Sequence, residues 1–477
     1  MSLKAHVARS TLWSGVQIMG NQTTSFLVFL VLTHFLSPSD IGVVALAVSF
    51  IEIMTPLMRA GLPEALIQRE TLDEIEADTC FWSGLGLSLV MGAGLFLLAP
   101  VIATSFASPT LGTVLQALSA LLPITALSAT HEGRLTRAFG FKALAMRTLI
   151  ANLLSGLIGI VMALDGYGVW SLVAQRLIGS MIAVGLIWLS CRWVPRLRFS
   201  TAAFKQMSGF GAHMTLVTFL MSLNGRIFDF LLGFFMGPAA VGFMRVASRV
   251  LDMVTQFAVN PLTSVALPTM ARLQHDRLAL SRAFLRLVRT SALMTFPAYF
   301  GLALVAPDLV TLAFGRQWAP SGELLSILCL SAIPITLQYF TWPAMAAVGR
   351  SDLAARGILV IVASATVITA IAAPFGLTAV VVAHVVRTYL TLPLSLYLLR
   401  RSTGIESRPV LAAVAYPLAA AIVMALALLL LRPLLHGLPP TSRIGLMMVA
   451  GVVVYGGLVL TTARALVRDL RTAFSRA

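Results

Sequence analysis

The chain has 477 residues, of which 58% are hydrophobic and only 11% are charged, and its mean hydropathy is +0.92. Soluble domains carry about 25% charged and 45–50% apolar residues, so this composition excludes a soluble globular protein and indicates a membrane protein with many spans. The net charge of +16 raises the question of a nucleic-acid partner, which the distribution of the basic residues answers below.

Apolar runs close to the roughly 20 residues that cross a bilayer recur fourteen times along the chain. The first run is too long for a signal-peptide core of about 7–15 residues, so we expect it to be retained as a helix. The predicted spans are residues 11–36, 41–60, 79–103, 112–130, 144–164, 168–190, 206–236, 239–264, 290–313, 322–347, 354–373, 377–399, 409–431 and 444–463. The predicted fold class is an all-α polytopic membrane protein with about fourteen transmembrane helices.

Lysine and arginine are concentrated in alternate connections between these spans. Both terminal segments and every second connection together hold 26 of the 34 basic residues, whereas the other connections hold only Arg316, Arg432 and Arg443. This bias follows the positive-inside rule and predicts that both termini are cytoplasmic. Most of the positive charge therefore sets topology, and we expect no nucleic-acid partner.

An internal repeat divides the predicted helices. Residues 35–47 (FLSPSDIGVVALA) and 235–247 (FMGPAAVGFMRVA) share Phe, Pro, Gly and Ala at equivalent positions, at an offset of 200. A weaker correspondence relates Gly140 to Gly349 and Gly168 to Gly376. We interpret these as parallel repeats, which place a transporter's substrate site at their interface. The predicted parts are a six-helix N-lobe (1–198), a six-helix C-lobe (199–402), and two additional helices with a cytoplasmic tail (403–477).

Charged residues inside the spans are the main indication of a binding site. Each costs about 2.5–3.5 kcal/mol at a helix centre, so such residues usually face a wet cavity or a partner. Guanidinium groups stay charged and bind phosphate through paired hydrogen bonds. We predict that Arg226, Arg245 and Arg249 bind an anionic group, with Arg387 and Arg176 as weaker candidates.

Polar residues recur at helical spacing in the first, seventh and eighth predicted spans, and lipid could not satisfy their hydrogen bonds. The predicted cavity-lining residues are Gln17, Asn21, Thr218, Ser222, Gln256 and Asn260. Three carboxylates within spans are candidates for coupling transport to protons or sodium, because a carboxylate buried without its partner changes protonation readily. They are Glu52, Asp229 and Asp252, and the first and last are equivalent at the repeat offset of 200.

Closed ion pairs that hold helices together are the alternative interpretation of these charges. Asp229 lies three residues from Arg226, and Asp252 three from Arg249, so each acid can pair within its own helix. Simple pairing leaves Arg245 without an acid on its own helix face, which favours a functional role for it.

No motif for catalysis, nucleotide binding or metal binding appears. The chain lacks GxxxxGK[ST] and HExxH, and Cys80, Cys191 and Cys329 are too scattered for a metal site or a disulfide framework. The longest predicted connections, near 61–78 and 265–289, are too short for a catalytic domain. The acidic residues at 70–78 are predicted to form a solvated helix face. We therefore expect neither an enzyme nor a cofactor.

Four segments carry a family resemblance. They are LSPSDIGVVALAVSF (36–50), AGLPEALIQRETLDEIEADTCFW (60–82), DGYGVWSLVAQRL (165–177) and NGRIFDFLLGFFMGPAAVGFMRVASR (224–249). They resemble the exopolysaccharide and O-antigen flippases of the multidrug/oligosaccharidyl-lipid/polysaccharide exporter superfamily, most of all the branch that includes the colanic-acid exporter. The resemblance covers most of the first twelve helices and is diffuse in the last two.

The resemblance implies a transporter in the bacterial inner membrane that moves undecaprenyl-diphosphate-linked oligosaccharides by alternating access. It also implies that membrane lipids and a polysaccharide polymerase are partners. Three alternatives stay open: a drug or small-cation exporter of the same fold, a non-transporting scaffold of a polysaccharide-synthesis complex, and a peptidoglycan-precursor flippase. A cation exporter wants acidic cavity walls, whereas this chain has five intramembrane arginines.

Overall fold

The computed structural model describes residues 20–68 and 73–462, and this part of the chain is helical without strands. The helices are α1 (Gly20–Leu32), α2 (Pro38–Arg59), α3 (Leu62–Gln68), α4 (Glu74–Ser105), α5 (Pro109–Leu118), α6 (Leu121–Arg137), α7 (Phe141–Leu164), α8 (Val169–Ser190), α9 (Thr201–Met236), α10 (Pro238–Arg272), α11 (Arg277–Phe314), α12 (Ala319–Cys329), α13 (Ala332–Ala347), α14 (Ser351–Ala372), α15 (Leu377–Thr403), α16 (Ser407–Leu431) and α17 (Pro440–Thr462).

The all-α membrane fold predicted from the sequence is confirmed. Among the described residues, twelve helices are long and apolar enough to cross a membrane, counting α5 and α6 as one. Helices α12 and α13, bent by 63° at a short break, form a thirteenth candidate. Helix α1 covers the middle of the predicted first span (11–36); residues 11–19 lie outside the described residues, and residues 33–36 form a turn. The predicted count of fourteen is consistent with this architecture.

Two compact units divide the chain, Met1–Arg245 and Val246–Ala477. In the first unit α2 packs against α9, α4 against α5 and α6, and α7 against α8. In the second unit α11 packs against α12, α16 and α17, and α14 packs against α15. The proposed lobe boundaries at 198/199 and 402/403 are a division by sequence repeat, and they stay a prediction.

The order of elements repeats along the chain. In each half a span is broken once, between α5 and α6 and between α12 and α13. The second helix after each broken span begins after a glycine with positive φ. Helix α8 follows Gly168 (φ +55°), and α15 follows Gly376 (φ +93°). Only glycine adopts such angles at no steric cost, which explains why the sequence repeat includes this pair.

Helix α2 has a well-defined beginning because its first residues cap it. The Ser37 hydroxyl accepts a hydrogen bond from the Asp40 amide, and the Asp40 carboxylate accepts one from the Ser37 amide. Pro38 occupies the first helical position, where its missing N–H costs nothing. This reciprocal cap fixes where the chain enters the second span.

The connection predicted near residues 265–289 is mostly helical. Helix α10 continues to Arg272 and α11 begins at Arg277, so only a short turn separates them. Helix α11 has 38 residues, about 57 Å of helix, whereas the hydrocarbon core is about 30 Å thick. The basic end of α11 therefore extends well beyond the membrane.

The solvated acidic face predicted at residues 70–78 is wrong for its last members. Glu76 is 8% exposed and Asp78 is fully buried. The Arg196 amide donates to Asp78 at 2.9 Å, and the Trp193 indole donates to Glu74 at 2.6 Å. Asp78 is buried because it binds the irregular segment between α8 and α9, which a sequence pattern within α4 could not reveal.

Candidate functional site

Charged side chains of α2, α9 and α10 meet within the first unit. Arg226 forms ion pairs with Glu52 and, at 3.5 Å, with Asp229. Asp229 also accepts a hydrogen bond from Arg245 at 2.7 Å and one from the Ser49 hydroxyl at 3.2 Å. We call Glu52, Arg226, Asp229 and Arg245 the four-charge network; it joins three helices.

Close packing of α2 against α9 brings the network together. The rings of Phe50 and Phe230 meet edge to face with their centroids 4.5 Å apart. One turn away on each helix, the Leu46 side chain packs on Gly233, where a Cβ would approach it within 2.6 Å. These contacts set the register of the two helices and place Ser49 and Glu52 opposite Asp229 and Arg226.

The side chains of the four-charge network pair with one another, but three of the four are still partly exposed. Asp229 is its most buried side chain at 13% exposure, whereas Arg245, Arg226 and Glu52 are 25%, 27% and 40% exposed. A guanidinium carries five N–H donors, and the two arginines have not used all of theirs on Asp229 and Glu52. They retain both the exposure and the donors to bind a further anion.

These contacts correct one inference from the sequence. The predicted proximity of Arg226 and Asp229 is found, but Arg245 does have an acid, because Asp229 reaches it from the neighbouring helix. Lack of an acid therefore gives no argument for a functional role of Arg245. The pairing is what the closed-ion-pair alternative expects, and it extends to Glu52 on α2.

The other predicted arginines lie elsewhere. Arg249 is half-buried on α10 in the second unit, and Arg176 is exposed on α8. Arg387 on α15 is 6% exposed and donates to the Ile361 carbonyl of α14 at 3.3 Å. Its Nε has no hydrogen-bond partner among the described residues.

The predicted polar and coupling residues are distributed over both units. The Asn152 amide of α7 donates to Asn21 of α1, so this predicted cavity-lining residue joins two helices. Gln17 lies outside the described residues. Five further members follow on α9 and α10, where Asp252 is exposed and the others are half-buried, namely Thr218, Ser222, Gln256 and Asn260. Their assignment to a cavity stays a prediction.

A second charged cluster was missed by the sequence analysis. Glu132 of α6 accepts from Arg147 of α7 at 2.6 Å and lies 3.5 Å from Arg59 of α2. We call Arg59, Glu132 and Arg147 the three-charge cluster. Both arginines were counted as loop residues that set topology. The available signal was that Arg147 falls inside the predicted span 144–164.

Comparison with known proteins identifies the relatives of the chain. The sequence profile of a family described as "Polysaccharide biosynthesis protein" matches residues 31–323. The succinoglycan biosynthesis transport protein ExoT of Rhizobium meliloti (strain 1021) is 26% identical over 328 residues, 68% of this chain and 66% of that protein. The lipopolysaccharide biosynthesis protein WzxC of Escherichia coli (strain K12) is 24% identical over 337 residues, 69% of this chain and 68% of the relative. The match to ExoT thus spans just under two thirds of that relative's length.

Solved structures share the fold over a longer range. The lipid II flippase MurJ in an inward closed conformation gives a TM-score of 0.79 at 13% identity, covering 96% of this chain and all of the other. An inward-facing multidrug resistance MATE family transporter gives 0.65 at 18% identity, covering 80% and 94%. At these identities the likeness concerns the fold alone.

Proposed function

Because the chain belongs to the polysaccharide biosynthesis protein family, we propose that it is a lipid-linked oligosaccharide flippase of the multidrug/oligosaccharidyl-lipid/polysaccharide exporter superfamily. It moves undecaprenyl-diphosphate-linked repeat units across the bacterial inner membrane by alternating access, for exopolysaccharide or lipopolysaccharide synthesis. Both termini are cytoplasmic, and a polysaccharide polymerase receives the cargo outside. The protein is a transporter and not an enzyme, and it needs no cofactor.

The four-charge network is the observation that supports this proposal. Arg226 lies ten residues before the end of α9 at Met236, about 15 Å along the helix and hence near the middle of a 30 Å hydrocarbon core. A diphosphate must cross this depth to reach the other leaflet. Partly exposed guanidinium groups at that depth stabilise it through paired, charge-assisted hydrogen bonds.

Exchange of partners explains how a paired arginine accepts cargo. Asp229 is the buried member that holds both arginines, whereas Glu52 is the most exposed acid and contacts Arg226 alone in the network. An arriving diphosphate replaces Glu52 at Arg226, while Asp229 keeps the guanidinium in place. A partly exposed ion pair is worth about 1 kcal/mol or less, so this exchange costs little.

The three-charge cluster supports entry from the cytoplasmic side. Arg59 lies seven residues beyond Glu52 on α2, about 10 Å nearer to the end that the positive-inside rule predicts to be cytoplasmic. Arg59, whose side chain is 32% exposed, attracts the diphosphate first, and the four-charge network receives it next. Helix α2 contributes one residue to each cluster and so connects the two steps.

The alternative functions require a different state or exposure of the charged residues. A cation exporter needs free acidic groups, yet Glu52 and Asp229 already pair with arginines. A scaffold agrees with the pairing but gives no reason for exposures of 25–40% at three of the four side chains. A peptidoglycan-precursor flippase would use the same chemistry, and the effect of gene deletion separates it: loss of viability rather than loss of surface polysaccharide.

Single replacement of the network arginines tests the proposal. We expect R226A and R245A each to lower surface polysaccharide at least about tenfold, the effect of losing roughly 1.4 kcal/mol of cargo binding. Protein levels in the membrane must be matched. The control is R350A, which removes an exposed ion pair with Asp352 and should leave export unchanged. Normal export by both network variants would refute the anion-binding role.

A further inference from the structure

The two copies of the sequence repeat touch each other, and both contact regions lie in the first unit. A Cβ atom on Gly42 of α2 would lie 1.7 Å from the carbonyl oxygen of Pro238, the first residue of α10. A Cβ on Gly242 of α10 would lie 1.9 Å from the carbonyl oxygen of Pro38, the first residue of α2. We call this double contact the outer seam.

The outer seam is reciprocal, like the interface of a two-fold symmetric dimer. The glycine of each repeat meets the proline of the other, so equivalent residues exchange equivalent contacts. Only glycine permits two backbones to approach so closely, as in small-residue contacts between membrane helices. The repeat found in the sequence is thus a pair of matched contact surfaces.

The outer seam lies on one side of the four-charge network. Gly42 is ten residues from Glu52, about 15 Å along α2, toward the end predicted to be outside. Between these residues, Leu46 packs on Gly233 and Phe50 packs on Phe230. In this structure the helices that carry the network are therefore in contact at their outer ends.

The construction of the outer seam allows it to separate and close again. At Gly42 and Gly242 the contacts are between backbones, so no side chain of these two residues has to be withdrawn when they part. Gly237, with φ of +81°, is the one residue between α9 and α10. It gives α10 a pivot next to the seam, since hinge motion is absorbed at such terminal positions.

We propose that the outer seam is the outer gate of the transporter: it is closed when cargo enters from the cytoplasm and parts to release cargo to the outer leaflet. This inference rests on the proposed function, and it adds which residues open. The matched Gly–Pro contacts return the two helices to one register at each closure.

Distance measurement across the outer seam tests the gate directly. Ser39 and Ala239 are equivalent in the repeat and adjoin the contact, so S39C and A239C provide sites for spin labels. Buried Cys80, Cys191 and Cys329 are first replaced by serine. In lipid nanodiscs we expect one short distance without ligand and a second population, longer by about 5 Å or more as in a one-turn rearrangement, when undecaprenyl diphosphate is added. A single short distance under both conditions would overturn the gate.

Glycine replacement gives a second, independent measurement. G42A and G242A force the seam apart and should each shift the labels to the longer distance without ligand. The matched control is G86A, since Gly86 is exposed on α4 and a Cβ placed there would have nothing within 4 Å. A short distance retained by G42A and G242A would also contradict the proposal.

Cross-linking relates the gate to export. Joining the two introduced thiols with a cleavable bismaleimide should stop export in cells, and cleavage should restore it. Undiminished export with the seam cross-linked would refute the gate. The spin-label distances need no transport, so failure of the gate is distinguishable from failure of the proposed function, which the arginine variants test.

Discussion

The first unit contains two clusters of charge that differ in the exposure of the acid at their centre. The four-charge network has two arginines and two acids around Asp229, whose side chain is 13% exposed. The three-charge cluster has two arginines, Arg59 and Arg147, around Glu132, whose side chain is 26% exposed. An ion pair loses more free energy on disruption when it is shielded from water, whereas a more exposed pair exchanges its partner for an incoming anion at less cost. We therefore expect the four-charge network to matter most for stability and the three-charge cluster for capture of the cargo.

The largest effect on stability should come from removing the acid at the centre of the four-charge network. Asp229→Asn leaves Arg226 and Arg245 close together without the acid that they share. Removing one partner of a buried pair costs about 3–5 kcal/mol, and partial exposure places this variant near 3. The midpoint of chemical denaturation of the purified protein should fall accordingly. An unchanged midpoint would mean that the network does not hold the three helices together.

Capture should depend on the three-charge cluster. Arg147→Gln removes the 2.6 Å contact to Glu132 and one of the two guanidinium groups that attract the cargo. We expect affinity for undecaprenyl diphosphate to fall about tenfold, equal to 1.4 kcal/mol. Arg147→Lys keeps the charge and should recover much of the affinity. Equal losses in both variants would indicate a packing role for Arg147.

A smaller change in ligand affinity, of opposite sign, distinguishes the exchange of Glu52 for cargo at Arg226 from simple ion pairing of these two residues. Glu52→Gln removes the competitor that occupies Arg226 while Asp229 still holds it. Since a partly exposed pair is worth up to about 1 kcal/mol, affinity for undecaprenyl diphosphate should rise about two- to fivefold. Weaker binding in this variant would contradict the exchange of Glu52 for cargo.

The smallest effect should be at a charge pair outside both clusters. Arg350 and Asp352 form a 3.0 Å contact with side chains 42% and 50% exposed. Arg350→Ala should leave both the midpoint of chemical denaturation and the ligand affinity unchanged, because water screens this exposed pair. A loss comparable to that of Arg147→Gln would show that ligand affinity follows overall charge and not the clusters.

The helices were predictable from the sequence because bilayer thickness fixes the length of an apolar run. The break between α5 and α6, at Ser119 and Ala120, was not, since the run stays apolar through it. The true beginning of α11 at Arg277 was also missed. Helical hydrogen bonds continue past the membrane surface, and a hydropathy window reports only where the lipid ends.

Within the candidate site, only the ion pair whose two residues lie on the same helix could be predicted from the sequence. Spacing alone placed Arg226 beside Asp229. The partner of Arg245 comes from another helix, and Glu132 meets Arg59 across 73 residues of sequence. Such contacts depend on how helices pack, which periodicity within one helix does not contain.

Lipid binding by the purified protein in nanodiscs decides whether the network arginines recognise a diphosphate. Affinity is measured for undecaprenyl diphosphate and for uncharged undecaprenol, in the wild type and in R226A. We expect the wild type to prefer the diphosphate by about tenfold or more, and R226A to lose most of this preference while still binding the uncharged lipid. Equal affinity of the wild type for the two lipids, or a full preference retained by R226A, would rule out diphosphate recognition by the network.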